Sequence, residues 1–142
     1  MLELMLAVAL IGMLMMIAIP GYTKYVDRAK VSTVIADIGT ISLRIDKYRL
    51  ANNNGLPDAL DDVDSEWMAD PWGRPYEYLV LEGVKGNGGA RKDKNLNPIN
   101  TDFDLYSKGK DGETVNSLVP KKSHDDIIRA SNGRFVGLAE DF

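Results

Sequence analysis

The side chains able to do chemistry are few and unevenly placed. There is no cysteine, and His124 is the sole histidine. Disulfides, zinc–thiolate sites and thiolate nucleophiles are therefore excluded. His124 lies beside Asp125 in a polar stretch, and no Gly-x-Ser-x-Gly elbow exists for it to activate. Nothing resembles a glycine-rich nucleotide loop, so a membrane-anchored hydrolase finds no support in the residues. What remains is acidic. Asp111 sits between Lys110 and Gly112, and Asp125-Asp126 follows further along. Carboxylates that lie close together repel each other unless a cation lies among them. Lys108, Lys110, Lys121 and Lys122 are at hand to neutralise them internally, and a Gly-Asp turn with an Asp-Asp helix cap needs no metal at all. An EF-hand is excluded, because it requires alternating acidic residues before its glycine. The other singular carboxylate is Glu3. It is costly in lipid unless protonated, paired or near the interface. One reading places it at headgroup level. The other pairs it with an α-amino group, its own or a neighbour's, which would fix the register between packed helices.

The elements that must carry these residues differ sharply from one another. Among the first twenty residues every side chain is apolar except Glu3, Gly12 and Pro20. From Leu4 to Ile19, a helix rising about 1.5 Å per residue reaches roughly 24 Å, close to a hydrocarbon core of about 30 Å. A cleaved signal peptide fits less well, since no basic region precedes the run and no small-x-small site with a polar start follows it. After Pro20-Gly21 the apolar residues Tyr22, Tyr25, Val26, Ala29, Val34, Ile38, Ile41, Ile45 and Tyr48 recur at mostly three- and four-residue intervals. The pattern stops at Asn52-Asn53-Asn54-Gly55. It predicts one helix over 2–52, apolar all round in its first half and one-sided in its second. Pro20 has no N–H to donate and is expected to kink or loosen the helix.

Beyond Gly55 the chain reads as a small polar domain. Asp58, Asp61, Asp62, Asp64 and Glu66 form a solvated acidic cluster, anchored by Leu60 and Val63. Asp70-Pro71-Trp72-Gly73-Arg74-Pro75-Tyr76 makes a rigid turn, with Trp72 and Tyr76 as core residues. Strands are predicted at 76–81, 103–106 and 134–138, the first two antiparallel, with 82–101 a long flexible loop between them. The fold class is α+β: a long N-terminal helix packed through its one-sided half on a small antiparallel sheet. Residues 1–21 form a transmembrane or filament-core half and 22–142 a globular head. The net charge of −4 argues against a nucleic-acid partner.

Leu2-Glu3-Leu4-Met5, Gly12 and Ile17-Ala18-Ile19-Pro20-Gly21-Tyr22 resemble the N-terminal helix of type IV pilins and type II secretion pseudopilins. In that family the glutamate is the fifth mature residue, and it precedes a glycine and a proline at the same intervals. Here it is third, so by this resemblance the chain reads either as two residues short of a mature pilin or as one with an unusual start. The family's N-terminal methylation is not assigned to Met1. The resemblance implies that Glu3, Gly12 and Pro20 serve assembly. The run 70–76, followed by Leu105-Tyr106-Ser107-Lys108-Gly109-Lys110-Asp111-Gly112 and Asp125-Asp126-Ile127, is similar to the major pseudopilin branch. That branch replaces the pilin disulfide with a calcium ion. Asp111, Asp125 and Asp126 match its ligand carboxylates, and the carbonyls of Lys108 and Glu113 fall where it supplies backbone oxygens. The interval between Asp111 and Asp125 is longer than usual, with Val119-Pro120-Lys121-Lys122 inserted. The resemblance further implies a non-enzymatic, pilin-like subunit of a homopolymeric helical filament. Minor pseudopilins and an inner-membrane assembly platform are its expected partners. Before assembly it would cross the bacterial inner membrane once, with its head in the periplasm. The alternative is a type IV pilin forming a surface filament for adhesion or motility. A plain single-pass anchor would need neither Glu3 nor the one-sided continuation of the helix.

Overall fold

The computed structural model describes residues 1–63, 69–83 and 88–142. Its first element is α1, Leu2–Ala51, followed by β1 (Glu77–Val80), β2 (Phe103–Ser107), β3 (Ile127–Ala130) and β4 (Phe135–Leu138). By its internal contacts the chain divides into Met1–Lys30 and Val31–Phe142.

Within Met1–Lys30 the helix carries the apolar run. Every residue from Met1 to Tyr25 is exposed, and α1 is long and apolar enough to cross a membrane. The helix runs through Pro20 without interruption, and Thr23 Oγ1 donates to the Pro20 carbonyl (3.1 Å). Glu3 lies in the first turn, where a carboxylate complements the positive end of the helix dipole.

Within Val31–Phe142 the remainder of α1 buries Val34, Ile38, Ile41 and Ile45. Their three- and four-residue spacing puts them on one stripe. The helix ends one residue earlier than the sequence pattern predicts, at Ala51. Asn53 and Asn54 then take positive φ (52° and 70°), and the Asn54 N–H returns to the Arg49 carbonyl (2.8 Å). Asparagine tolerates this left-handed conformation better than most residues.

The four strands form one antiparallel sheet in the order β1-β2-β3-β4. Glu77 faces Tyr106, Ser107 faces Ile127, and Ile127 faces Leu138. Alternation along the strands gives the sheet two apolar faces. Phe103, Leu105 and Ile127 meet the helix stripe together with Tyr76, while Trp72, Leu60 and Val63 pack at the margin. Tyr76 closes this core by donating its hydroxyl to Asp37 Oδ2 (2.7 Å). Ile128 and Ala130 point the other way and join Ile99, Leu118 and Ala139 in a second cluster.

That second cluster corrects one expectation. Residues 88–101 are not a loose loop but the cover of the sheet's outer face, with Ala90, Arg91, Ile99 and Asn100 buried. Backbone bonds hold them there: Lys92 N–H to the Asn116 carbonyl (2.7 Å), Leu118 N–H to the Lys92 carbonyl (3.0 Å) and Ile99 N–H to the Arg91 carbonyl (3.0 Å). The sheet also has a strand that the pattern did not reveal. Ile127–Ala130 is buried on both faces, so it shows no alternation. Asp58, Asp61 and Asp62 are exposed as expected; Asp64 and Glu66 lie outside the described residues.

Candidate functional site

The candidate site is the connection from β2 to β3. Ser107 and Ile127 pair across the sheet, so residues 108–126 leave and re-enter it at one point. The 70–76 turn organises the start of this connection. Asp70, buried, accepts from the backbone N–H groups of Trp72 and Arg74 through Oδ1 (3.0 Å each). Its Oδ2 accepts from the Ser107 hydroxyl (2.5 Å), which in turn accepts from the Gly109 N–H (3.2 Å). Arg74 then reaches over and donates to the carbonyls of Gly109 (2.6 Å) and Lys110 (3.2 Å). Two glycines are obligatory here. Gly109, at φ +64°, lies against the Asp125 backbone, and Gly112, at φ +74°, lies against the Arg74 guanidinium, so a Cβ at either position would collide.

The acidic residues occupy distinct places in this frame. Asp125 Oδ2 accepts from the Asp111 N–H (2.9 Å), which holds the two ends of the connection together. Asp111 Oδ1 accepts from the Glu113 N–H (2.7 Å), and the Lys108 carbonyl accepts from the Gly112 N–H (3.2 Å). Asp126 is fully buried. Its Oδ2 accepts from Arg91 Nη2 (2.5 Å) and from the Thr114 hydroxyl (2.6 Å), and Arg91 Nη1 donates to Thr114 Oγ1 (2.7 Å). Asp126 Oδ1 is buried and has no hydrogen-bond partner among the described residues. Desolvation pushes the Asp126 carboxyl up to about 6, even though Arg91 and Thr114 favour its charged form.

The structure therefore links Lys108, Asp111, Glu113 and Asp125 in one turn-rich connection and sets Asp126 just inside it. Among the described residues no three acidic side chains converge on a single point. Two of the nearby lysines pair with glutamates: Lys108 with Glu77 (2.5 Å) and Lys122 with Glu113 (2.7 Å). The cation paired with Asp126 is Arg91, which sequence reasoning missed. It lies in a glycine-rich stretch with no periodicity, and only the fold reveals that this stretch covers the sheet.

The residues fit a hard cation in the chemistry of their donors. They offer carboxylate and carbonyl oxygens with no nitrogen or sulfur, as calcium prefers. They also include one buried carboxylate oxygen whose lone pairs are unsatisfied, a costly arrangement without a partner.

The second set of candidate residues lies on α1. Glu3, Gly12 and Pro20 are all exposed on the apolar run, and a Cβ on Gly12 would meet nothing within 4 Å. Their surroundings in this structure are their own helix.

No family model matches the chain, and no solved structure matches it significantly. Curated relatives do. The type II secretion system core protein G of Pseudomonas aeruginosa is 30% identical, in an alignment covering 78% of this chain and 81% of that one. Its namesake from Xanthomonas campestris pv. campestris is 29% identical, covering 78% and 76%. The type IV major fimbrial protein FimA of Dichelobacter nodosus is 42% identical over 53 residues, which cover 37% of this chain and 34% of FimA. Identity of this order over more than three quarters of both chains settles the kinship: the chain belongs to the type II secretion system core protein G family.

Proposed function

We propose that this chain is the major pseudopilin of a type II secretion system, a structural subunit that polymerises through its N-terminal helices to drive protein export. The observation that carries the reading is the exposed apolar run of α1 broken by a single carboxylate, in a chain that matches core protein G over most of its length. Such an apolar surface cannot stay in water and requires either lipid or other copies of the same helix. Before assembly the run anchors the chain in the inner membrane with its sheet domain in the periplasm. Assembly exchanges lipid for neighbouring helices, with minor pseudopilins and a membrane platform as the partners. Glu3 neutralised by a neighbour's α-amino group sets the axial register, and Glu3→Ala should leave the sheet domain folded while reducing filament yield. Electron micrographs of filaments formed by the variant at wild-type yield would overturn this role.

The match to FimA supports a second reading, a surface filament for adhesion or motility. It covers far less of the chain than the match to core protein G. Deleting the coding sequence separates the two: loss of protein export with surface filaments intact favours the first.

Within the sheet domain, calcium is proposed as the staple of the β2–β3 connection. Asp111, Asp125 and Asp126 would hold it, with the carbonyls of Lys108 and Glu113. Its chemistry there is charge neutralisation and the cross-linking of distant loop residues. The chain's own part is to present hard oxygens at fixed spacing. Gly109 and Gly112 allow the turns, and Arg74 anchors the backbone by its bonds to the Gly109 and Lys110 carbonyls.

A further inference from the structure

Among the described residues Arg91 is the largest fully buried side chain, and its surroundings are built around its charge. Its backbone N–H donates to Asp104 Oδ2 (2.7 Å), which fixes the 88–101 cover against β2. Its guanidinium lies 4.3 Å from the centroid of the Tyr106 ring. Two of its nitrogens end on Thr114 and Asp126, so one side chain joins the sheet cover to the β2–β3 connection. Asp126 is consequently divided. One oxygen belongs to Arg91 and Thr114, and the other is buried, without a partner among the described residues.

We propose that Arg91 is an internal cation that shares Asp126 with the cation bound in the β2–β3 connection, and so sets how strongly the chain depends on calcium. This rests on the calcium reading given above. Arg91 restricts Asp126 to a single coordinating oxygen and cancels part of its charge, which weakens calcium binding. In return it keeps the connection attached to the sheet cover when calcium is scarce. Arginine suits this post better than lysine because its planar fork serves Thr114 and Asp126 at once and stacks on an aromatic face. Removing the arginine frees both Asp126 oxygens and their full charge for a cation, so each of the two positive groups should become more important when the other is lost.

The test uses the full chain in detergent micelles with calcium as the probe. Calcium binding is measured by titration calorimetry, and thermal unfolding is followed in calcium and in chelator. In Arg91→Met, which keeps an apolar stem over Tyr106, calcium should bind at least tenfold more tightly. The gap in melting temperature between calcium and chelator should widen. In Arg91→Lys, which keeps the charge, affinity should stay within about threefold of wild type. Wild type that binds calcium, with Arg91→Met showing the same affinity and the same gap, overturns the inference and leaves the calcium reading standing. Wild type that binds none, with Arg91→Met becoming calcium-responsive, overturns the calcium reading for this chain and supports the role of Arg91. If neither responds, both fail. Should Arg91→Met fold only in calcium, the proposal is supported in its strongest form. Should it and Arg91→Gln fail to fold even in calcium, the proposal is overturned, because calcium then does not replace the arginine.

Discussion

Asp102 and Arg129 form a two-pronged pair, Nη1 to Oδ1 at 2.9 Å and Nη2 to Oδ2 at 2.7 Å, with Arg129 stacked 3.9 Å from the Phe103 ring centroid. Arg129 also donates to the Phe103 carbonyl (3.1 Å), and its side chain is only 5% exposed. Burial alone would raise the Asp102 pKa. The Arg129 hydrogen bonds and charge, with the Phe103 N–H, outweigh that effect and hold it below the ordinary carboxylate range. A carboxyl depressed in the folded state contributes stability that is fully present above its unfolded pKa of about 3.9 and is lost as pH falls through the folded value. Asp102→Asn should therefore cost about 3 kcal/mol near neutrality, most of it from leaving Arg129 buried without its counter-charge. The difference from wild type should shrink below about pH 4. Denaturant unfolding of both proteins between pH 3 and 7 measures this. A difference that stays constant across that range would mean the carboxylate charge contributes nothing. None of this pairing is visible in the sequence. Asp102 and Arg129 stand far apart in the chain, and only the antiparallel packing of β2 on β3 brings them together.

At the scale of elements, α1 was the most legible feature and β3 the least. A fifty-residue helix with a three- and four-residue stripe leaves a long record, so both its start and its end are readable from composition and spacing. Its stripe also identified the buried face correctly: Val34, Ile38, Ile41 and Ile45 form the helical side of the core. Ile38→Ala should cost about 2–5 kcal/mol, because its burial is complete and the core residues Phe103 and Leu105 are held by the sheet and cannot collapse into the gap. Leu43→Ala, on the exposed face of the same helix, should change stability by less than about 0.5 kcal/mol. Equal effects of the two in a melting experiment would mean that the helix does not bury the stripe. The strands β1, β2 and β4 announced themselves through alternation or aromatic content. Ile127–Ala130 did not, because four residues buried on both faces carry no period, and the preceding Asp125-Asp126 invited a reading as loop. The cover formed by residues 88–101 was illegible for a related reason. Its backbone bonds run to Asn116 and Leu118, partners that no local pattern points to.

For the whole molecule, the chain must hold a long polar connection in place without cysteine. From Ser107 to Asp126 the apolar side chains are Val115, Leu118 and Val119, of which Leu118 is buried and the two valines are exposed. Ordering each backbone residue costs about 1–2 kcal/mol, which one buried leucine cannot offset. Hydrogen bonds from Arg74, Ser123 and Arg91 supply part of the difference. Ser123, fully buried, both donates to the Val115 carbonyl (3.0 Å) and accepts its N–H (3.2 Å). A cation that binds only the folded state adds RT ln(1 + [L]/Kd), about 2.7 kcal/mol at a hundredfold excess over Kd. The full chain in micelles should therefore melt several degrees lower in chelator than in calcium, and recover when calcium is restored. Asp125→Ala should melt no higher than the chelated wild type and respond little to calcium, since it loses both a proposed ligand of the cation and the Oδ2 contact to the Asp111 N–H. Magnesium should substitute poorly, because it demands a tighter octahedral shell and gives up its waters reluctantly. The backbone amides of residues 107–126 should exchange faster in chelator, while those of the Val34–Ile45 stripe, held by the opposite face of the sheet, change little. A melting temperature and an exchange pattern indifferent to chelator would leave the connection to Arg91, Arg74 and Ser123 alone, with protein cations in place of the metal.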